Sequence, residues 1–196
     1  MGFDESSDLQ RRWALYSAAV CAARITNSIR RGSELRLDRV PADWTQPGRL
    51  SLTILPGRRD QGSDLEHDLG VLLREGVRRV LVLLSTEELA QFGVSELLAA
   101  YHTRGLVVCQ LPILDQRACS IDDMEIALDA IEQGLRAGEH VLVRCRGGLG
   151  RSGRVAASLL RRRGATADEA LRIVREVRSP RAVETEAQEH FVRAFS

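Results

Sequence analysis

The 196-residue chain predicts an α/β domain with a mostly parallel central sheet flanked by helices on both faces. Three observations carry that expectation. Short branched apolar runs such as "VRRVLVLL" (77–84) and "HVLVRC" (140–145) read as strands buried on both faces. Between them, apolar residues recur at helical spacing. Glycines, prolines and capping residues punctuate the boundaries.

Taken in order, residues 1–33 form an N-terminal extension, expected to be helical in "RRWALYSAAVCAARI" and to end in the polar "NSIRRGSE". The domain proper is expected over 34–196. "ELRLDRV" starts it with a strand-like alternation, and "RLSLTIL" (49–55) is a second strand closed by Pro56-Gly57. Leu65, Leu69, Leu72 and Leu73 then mark a helix running to Gly76, which feeds the strand at 77–84. Ser85 and Glu88 have capping-box spacing for a short helix, and "VSELLAAYHTR" gives another ending near Gly105. "LVVCQL" (106–111) is a strand stopped by Pro112. Ser120 opens the clearest helix, with Ile121, Met124, Leu128, Ile131 and Leu135 along one face and Gly138 at its end. After the strand at 140–145 and a glycine loop, Val155, Leu159 and Leu160 mark a helix. Thr166 with Glu169, and Thr185 with Gln188, cap the last two.

Composition narrows the function classes. The formal net charge is +1, so no overall field favours nucleic acid or a membrane surface, and no apolar run is long enough to span a bilayer. All 28 basic residues are arginine, which removes Schiff-base lysine chemistry and a Walker A loop. Cys21, Cys109, Cys119 and Cys145 form no CxxC pair and sit in apolar surroundings, as expected for reduced thiols of a cytoplasmic protein. No cofactor or metal site is expected.

The chemistry concentrates in "VLVRCRGGLGRSG" (141–153). Gly148, Gly150 and Gly153 fit G-x-G-x-x-G, but a dinucleotide fold places that turn after its first strand, with an acidic residue at the end of the next. Here 43 residues follow Gly153, and they are helical in pattern. Asp168 and Glu169 lie at about the right distance but suit the first turn of a helix. From Cys145 the segment reads instead as C-x5-R followed by Ser152, between a buried strand and a helix N-terminus. The backbone of Arg146, Gly147, Gly148, Leu149, Gly150, Arg151 and Ser152 would then form an anion cradle. Arg151 adds a planar fork for two phosphate oxygens. Free thiols ionise near pH 8.5, and fields of this kind lower that to about 3.5–7.5, so such a cysteine is a thiolate nucleophile aimed at the bound anion. The alternative is an inert cysteine in an ordinary strand–helix turn.

"CRGGLGRSG" resembles the signature loop of the cysteine-dependent tyrosine and dual-specificity phosphatases, Cys-x-x-Gly-x-x-Arg-Ser/Thr, with Cys145, Gly148, Arg151 and Ser152 in the matching places. "TILPGRRDQGSDLEHDL", "LPILDQ" and "AVETEAQEHFV" are similar in order to segments of the cyclin-dependent-kinase-associated branch of the dual-specificity phosphatases. The resemblance spans roughly 34–196 and implies a general acid about thirty residues before the nucleophile. Asp115, 30 residues before Cys145, matches it. A turn-forming aspartate after Pro112 is the alternative, and Asp122 and Asp123 are accounted for as helix-dipole partners. Ser152 matches the hydroxyl that helps the thiolate leave, or is simply a helix-terminal serine. Gln188 falls where some relatives position water, although its capping box explains it too. Arg58, Arg59 and Arg117 could border the cleft and favour acidic substrates. Cys119 could be a redox partner of Cys145 or filler. His67, His102 and His190 read as solvated helix positions.

The main departure is Arg144, where relatives carry histidine. A buried arginine is costly without an acidic partner, so the sequence predicts that Arg144 pairs with a carboxylate. The expected function is a metal-independent phosphatase for phosphotyrosine, and for phosphoserine or phosphothreonine, in proteins. The competing reading is a phosphate-recognition module with little turnover.

Overall fold

A computed structural model describes residues 34–195 apart from 59, 61 and 115–118. The expected helical extension, and with it Cys21, lies outside the described residues, as do Asp115, Arg117 and Arg59. Five strands, β1 (Asp38–Arg39), β2 (Arg49–Thr53), β3 (Val77–Val82), β4 (Val107–Gln110) and β5 (His140–Arg144), form one sheet in the order β1-β2-β5-β3-β4. Only β1 is antiparallel to its neighbour. Seven α-helices are described: α1 (Leu65–Arg74), α2 (Thr86–Gln91), α3 (Leu97–Thr103), α4 (Ile121–Arg136), α5 (Gly150–Arg162), α6 (Ala167–Val177) and α7 (Glu186–Ala194).

The alternation of strand side chains explains why both sheet faces are covered. Along β5, Val141 and Val143 face a core built with α4, α5, α6 and α7, while Leu142 faces a second core with α1, α2 and α3. Every residue of β5 is buried, which accounts for its nearly continuous apolar run. At its first position His140 accepts from Ser51 Oγ at 2.8 Å through Nε2, and its Nδ1–H donates to the Glu75 carbonyl at 3.0 Å. That pairing suits the neutral ring, and burial holds its pKa below the ordinary histidine range.

Most boundary signals act as their chemistry requires. Ser85 and Glu88 cap α2 reciprocally, and Ser120, Thr166 and Thr185 each accept the N–H three residues on. Asp122 and Asp123 lie in the first turn of α4, as Asp168 does in α6. Four expectations need correction. The first strand covers only Asp38–Arg39, because β1 is an edge that pairs with β2 over two residues. Leu73 is 41 % exposed, being one position round from the buried Leu72 stripe, and Ile121 is 64 % exposed because α4 opens before its stripe reaches the sheet. Gln188 does not complete a capping box: its Oε1 accepts from Glu184 N at 2.9 Å, one residue before the cap.

The chain leaves β3 towards α2 on one face and leaves β5 towards α5 on the other. These two strands are neighbours, so their carboxyl ends flank the kind of crevice in which open α/β sheets bind ligands.

Candidate active site

Cys145 directly follows the central strand, at 3 % exposure, and leads into the glycine loop. The loop's carbonyls are turned outward onto protein donors. Arg146 O accepts from Leu55 N at 3.1 Å. Gly147 O and Gly148 O accept from Arg178 Nη2 and Nε at 2.9 and 3.0 Å. Leu149 O takes Gly153 N at 3.0 Å and Val183 N at 3.3 Å. In a planar trans peptide the next N–H points opposite to the carbonyl. The N–H groups of Gly147, Gly148, Leu149 and Gly150 therefore turn inward, at the N-terminus of α5, where the helix dipole adds its positive end.

Two glycines make this path possible. Gly148 holds φ of +65°, and a Cβ there would stand 2.3 Å from Thr53 O. At Gly150 a Cβ would come within 2.6 Å of Glu184 Oε2 and 2.9 Å of Gln188 Nε2, so the start of α5 rests against the segment before α7. Val183 on that segment holds φ of 61°, unusual for a β-branched residue, and thereby offers its N–H to Leu149.

Arg151 is 1 % exposed and anchored through Nη1, which donates to both Glu88 carboxylate oxygens (2.8 and 3.0 Å), to Ile113 O (3.0 Å) and to Leu83 O (3.2 Å). Glu88 thus serves two ends at once, since it also accepts Ser85 N as the capping residue of α2. Ser152 is fully buried in the first turn of α5, and its hydroxyl has no hydrogen-bond partner among the described residues.

Arg144 contradicts its expected pairing. Its side chain leaves β5 on the opposite face from Cys145 and is fully buried. It has no carboxylate partner, and all three of its side-chain nitrogens lack hydrogen bonds among the described residues. Its guanidinium lies 5.6 Å from the ring centroid of Tyr101 on α3, itself fully buried with an unsatisfied hydroxyl. A cation over an aromatic face replaces the ion pair, because the core packed on α1, α2 and α3 provides a ring at that depth and no free acid. Burial pulls the Arg144 pKa below its usual range, against which Tyr101 and then Cys145 favour the cation. For Tyr101 burial raises the phenol pKa, and Arg144 opposes the rise.

Sequence reasoning missed two residues that shape the site. Glu88 was legible as a cap but not as the anchor of Arg151. Arg178 left no signal, because its partners lie 30, 31 and 140 residues away: Gly148, Gly147 and Asp38, the last at 2.6 Å. Asp38, with a side chain 2 % exposed, also pairs with Arg36. Cys119 is half-buried and packs against the core that contains Cys145, and burial raises its thiol pKa while Arg154 works in the opposite direction. His67, His102 and His190 are exposed on helices. Among the described residues no acidic, histidine or cysteine cluster could hold a metal, and no helix is long and apolar enough to cross a membrane.

A mostly parallel sheet of this order, carrying a Cys-x5-Arg loop from its central strand into a helix, defines a class of phosphatase. The chain belongs to the dual-specificity and tyrosine phosphatase (DSP-PTPase) family: the family model described as "Polymorphic toxin system, DSP-PTPase phosphatase" matches residues 57–165. More particularly, the chain is 31 % identical over 150 residues to cyclin-dependent kinase inhibitor 3 of Sus scrofa, covering 74 % of this chain and 71 % of the relative. The Homo sapiens protein of the same name is 29 % identical over equal coverage. The crystal structure of kinase-associated phosphatase, with its catalytic-site cysteine substituted by serine, matches with a TM-score of 0.78 at 24 % identity, over 83 % of this chain and 94 % of that one. Tk-PTP in its active form matches at 0.63 and 33 % identity, over 81 % and 95 %. The protein is a tyrosine or dual-specificity phosphatase, with the α/β fold expected from its sequence.

Proposed function

We propose that the protein hydrolyses phosphoproteins without a metal ion, taking phosphotyrosine and also phosphoserine or phosphothreonine, through a cysteinyl-phosphate on Cys145. The observation that carries this reading is the loop that follows Cys145, whose carbonyls are held by Leu55, Arg178 and Val183 so that its N–H groups turn the other way, together with an Arg151 anchored by Glu88. The phosphoryl oxygens sit on those N–H groups and on the guanidinium of Arg151. The Cys145 thiolate attacks phosphorus, the S–P bond forms and the P–O bond to the substrate breaks, and Asp115 supplies the proton to the leaving oxygen. Water then attacks the cysteinyl-phosphate and gives its proton to Asp115, while the Ser152 hydroxyl donates to the departing sulfur and inorganic phosphate leaves. A thiol nucleophile needs a reducing compartment, which supports a cytoplasmic location.

The test is hydrolysis of p-nitrophenyl phosphate and of phosphotyrosine peptides in EDTA, for the wild type and Cys145→Ser. The wild type is expected to turn over both substrates, and the serine variant to lose at least about a thousandfold in kcat while still binding phosphopeptide, since a neutral hydroxyl is a poor nucleophile in an unchanged cradle. A wild-type protein that binds phosphopeptide without hydrolysing it would be a recognition module.

A further inference from the structure

Arg146 directly follows the nucleophile, and its side chain, unlike its backbone, is not committed to the phosphate loop. Its guanidinium lies 4.9 Å from the ring centroid of Phe92, the residue that ends α2. A second guanidinium, that of Arg58 from the turn after β2, lies 5.6 Å from the same centroid. Only one described carboxylate joins this pair. Asp60 accepts from Arg58 Nε at 2.9 Å and from its Nη2, and Arg58 followed by Arg146 hold its pKa below the usual aspartate range. Arg146 is exposed and makes no ion pair among the described residues. The cluster therefore carries two positive charges against one negative, beside the loop that binds phosphate.

Its position on α2 relates it to the catalytic arginine. Glu88, which anchors Arg151, and Phe92, the C-cap of α2, which holds Arg58 and Arg146, are four residues apart and lie on one side of the helix, separated by about 6 Å along the axis. An extended peptide advances about 3.3 Å per residue, so a group one or two positions from the phosphorylated residue spans that separation.

Resting on the phosphatase reading above, we propose that Arg58, Phe92 and Arg146 form a second anion subsite, which selects phosphopeptides carrying a carboxylate or a second phosphate within two residues of the scissile one. The incoming acid meets Arg146 first and shares Arg58 with Asp60. Arg58, with a side chain only 7 % exposed, is the fixed wall of the subsite, and Asp60, 55 % exposed, is the displaceable counter-charge.

The experiment compares phosphotyrosine peptides differing only by Glu or Gln at each of the two positions on either side, as kcat/KM for the wild type, Arg58→Gln, Phe92→Leu and Asp60→Asn. The wild type is expected to prefer at least one Glu peptide about fivefold, mainly through KM, with the preference shrinking in high salt. In Arg58→Gln and Phe92→Leu the Glu/Gln ratio falls towards one, and in Asp60→Asn it rises. The same peptide pairs titrated against Cys145→Ser yield the ratio as binding constants, so a protein without turnover still answers the question. Loss of all hydrolysis with the Glu preference retained in binding would overturn the phosphatase reading and leave the subsite standing. Equal Glu and Gln peptides in the wild type, or a preference unmoved in both Arg58→Gln and Phe92→Leu, would overturn the subsite. So would selectivity for multiply phosphorylated inositols with none among the peptides.

Discussion

Arg144 ends β5 and Cys145 follows it directly, and the extended backbone there sends their side chains to opposite faces of the sheet. The guanidinium can therefore act on the thiolate by charge alone, across the backbone, while its own surroundings are those of the core behind the sheet. That charge is poorly compensated: a buried cation over the Tyr101 ring keeps only part of what hydration or a carboxylate would supply. Replacing it with an apolar side chain of similar length is expected to separate two effects. Arg144→Met should raise the free energy of unfolding by about 1–3 kcal/mol, read as a higher urea midpoint at unchanged slope. It should also slow iodoacetate inactivation of Cys145 severalfold, because the positive charge one residue from the attacking sulfur has gone. A variant that is less stable and equally reactive would mean that Arg144 serves packing and not the nucleophile.

The glycine loop is shaped by elements distant in sequence. Arg178, at the end of α6, holds two loop carbonyls with one guanidinium and reaches Asp38 on the edge strand with its remaining nitrogen. By turning those carbonyls outward it turns the following N–H groups inward, so it is a positioning residue for phosphate although it need not touch it. Arg178→Met keeps the stem and removes the fork. Vanadate inhibition is expected to weaken by at least about tenfold, which corresponds to the loss of one or two charge-assisted hydrogen bonds, and stability to fall by about 1–3 kcal/mol as Asp38 keeps only Arg36. Arg178→Lys should recover stability better than vanadate affinity, since an ammonium can pair with Asp38 but cannot bridge both carbonyls in a plane. Equal vanadate inhibition constants in all three proteins would remove Arg178 from the site.

At the scale of the molecule, the buried His140 ties the start of the central strand to β2 through Ser51 and to the end of α1 through Glu75, and so it titrates with global unfolding. Burial depresses its pKa in the folded state, with the hydrogen bond to the Glu75 carbonyl opposing. Unfolding then takes up a proton below the unfolded value of about 6.5. This contribution to stability is present above pH 7 and lost as pH falls towards the folded value, with a slope of at most about 1.4 kcal/mol per pH unit. Urea midpoints between pH 7.5 and 5.5 lie above the range where unfolded carboxylates titrate, and the other described histidines are exposed. His140→Asn should be less stable at pH 7.5 and show a flatter decline. The same slope in both proteins would assign the decline to other groups.

The alternation of buried strands with amphipathic helices, the caps at Ser85, Ser120 and Thr166, and the nucleophile loop are all legible along the chain. Each of these is written in residues a few positions apart, within reach of backbone hydrogen bonding or of one helical turn. The thiol, the glycines that permit the turn and the arginine that ends it all fall within seven residues, so the family was legible from them. Which distant groups complete the site depends on how the elements pack. Glu88 reaches Arg151 across 63 residues, and Arg178 reaches Asp38 across 140. The sequence predicts a carboxylate for Arg144, but its partner is whatever the opposite sheet face presents at that depth, and α3 presents Tyr101. Local spacing encodes local hydrogen bonds. The partner of a buried charge depends on which elements the sheet order brings together, and no spacing along the chain records that.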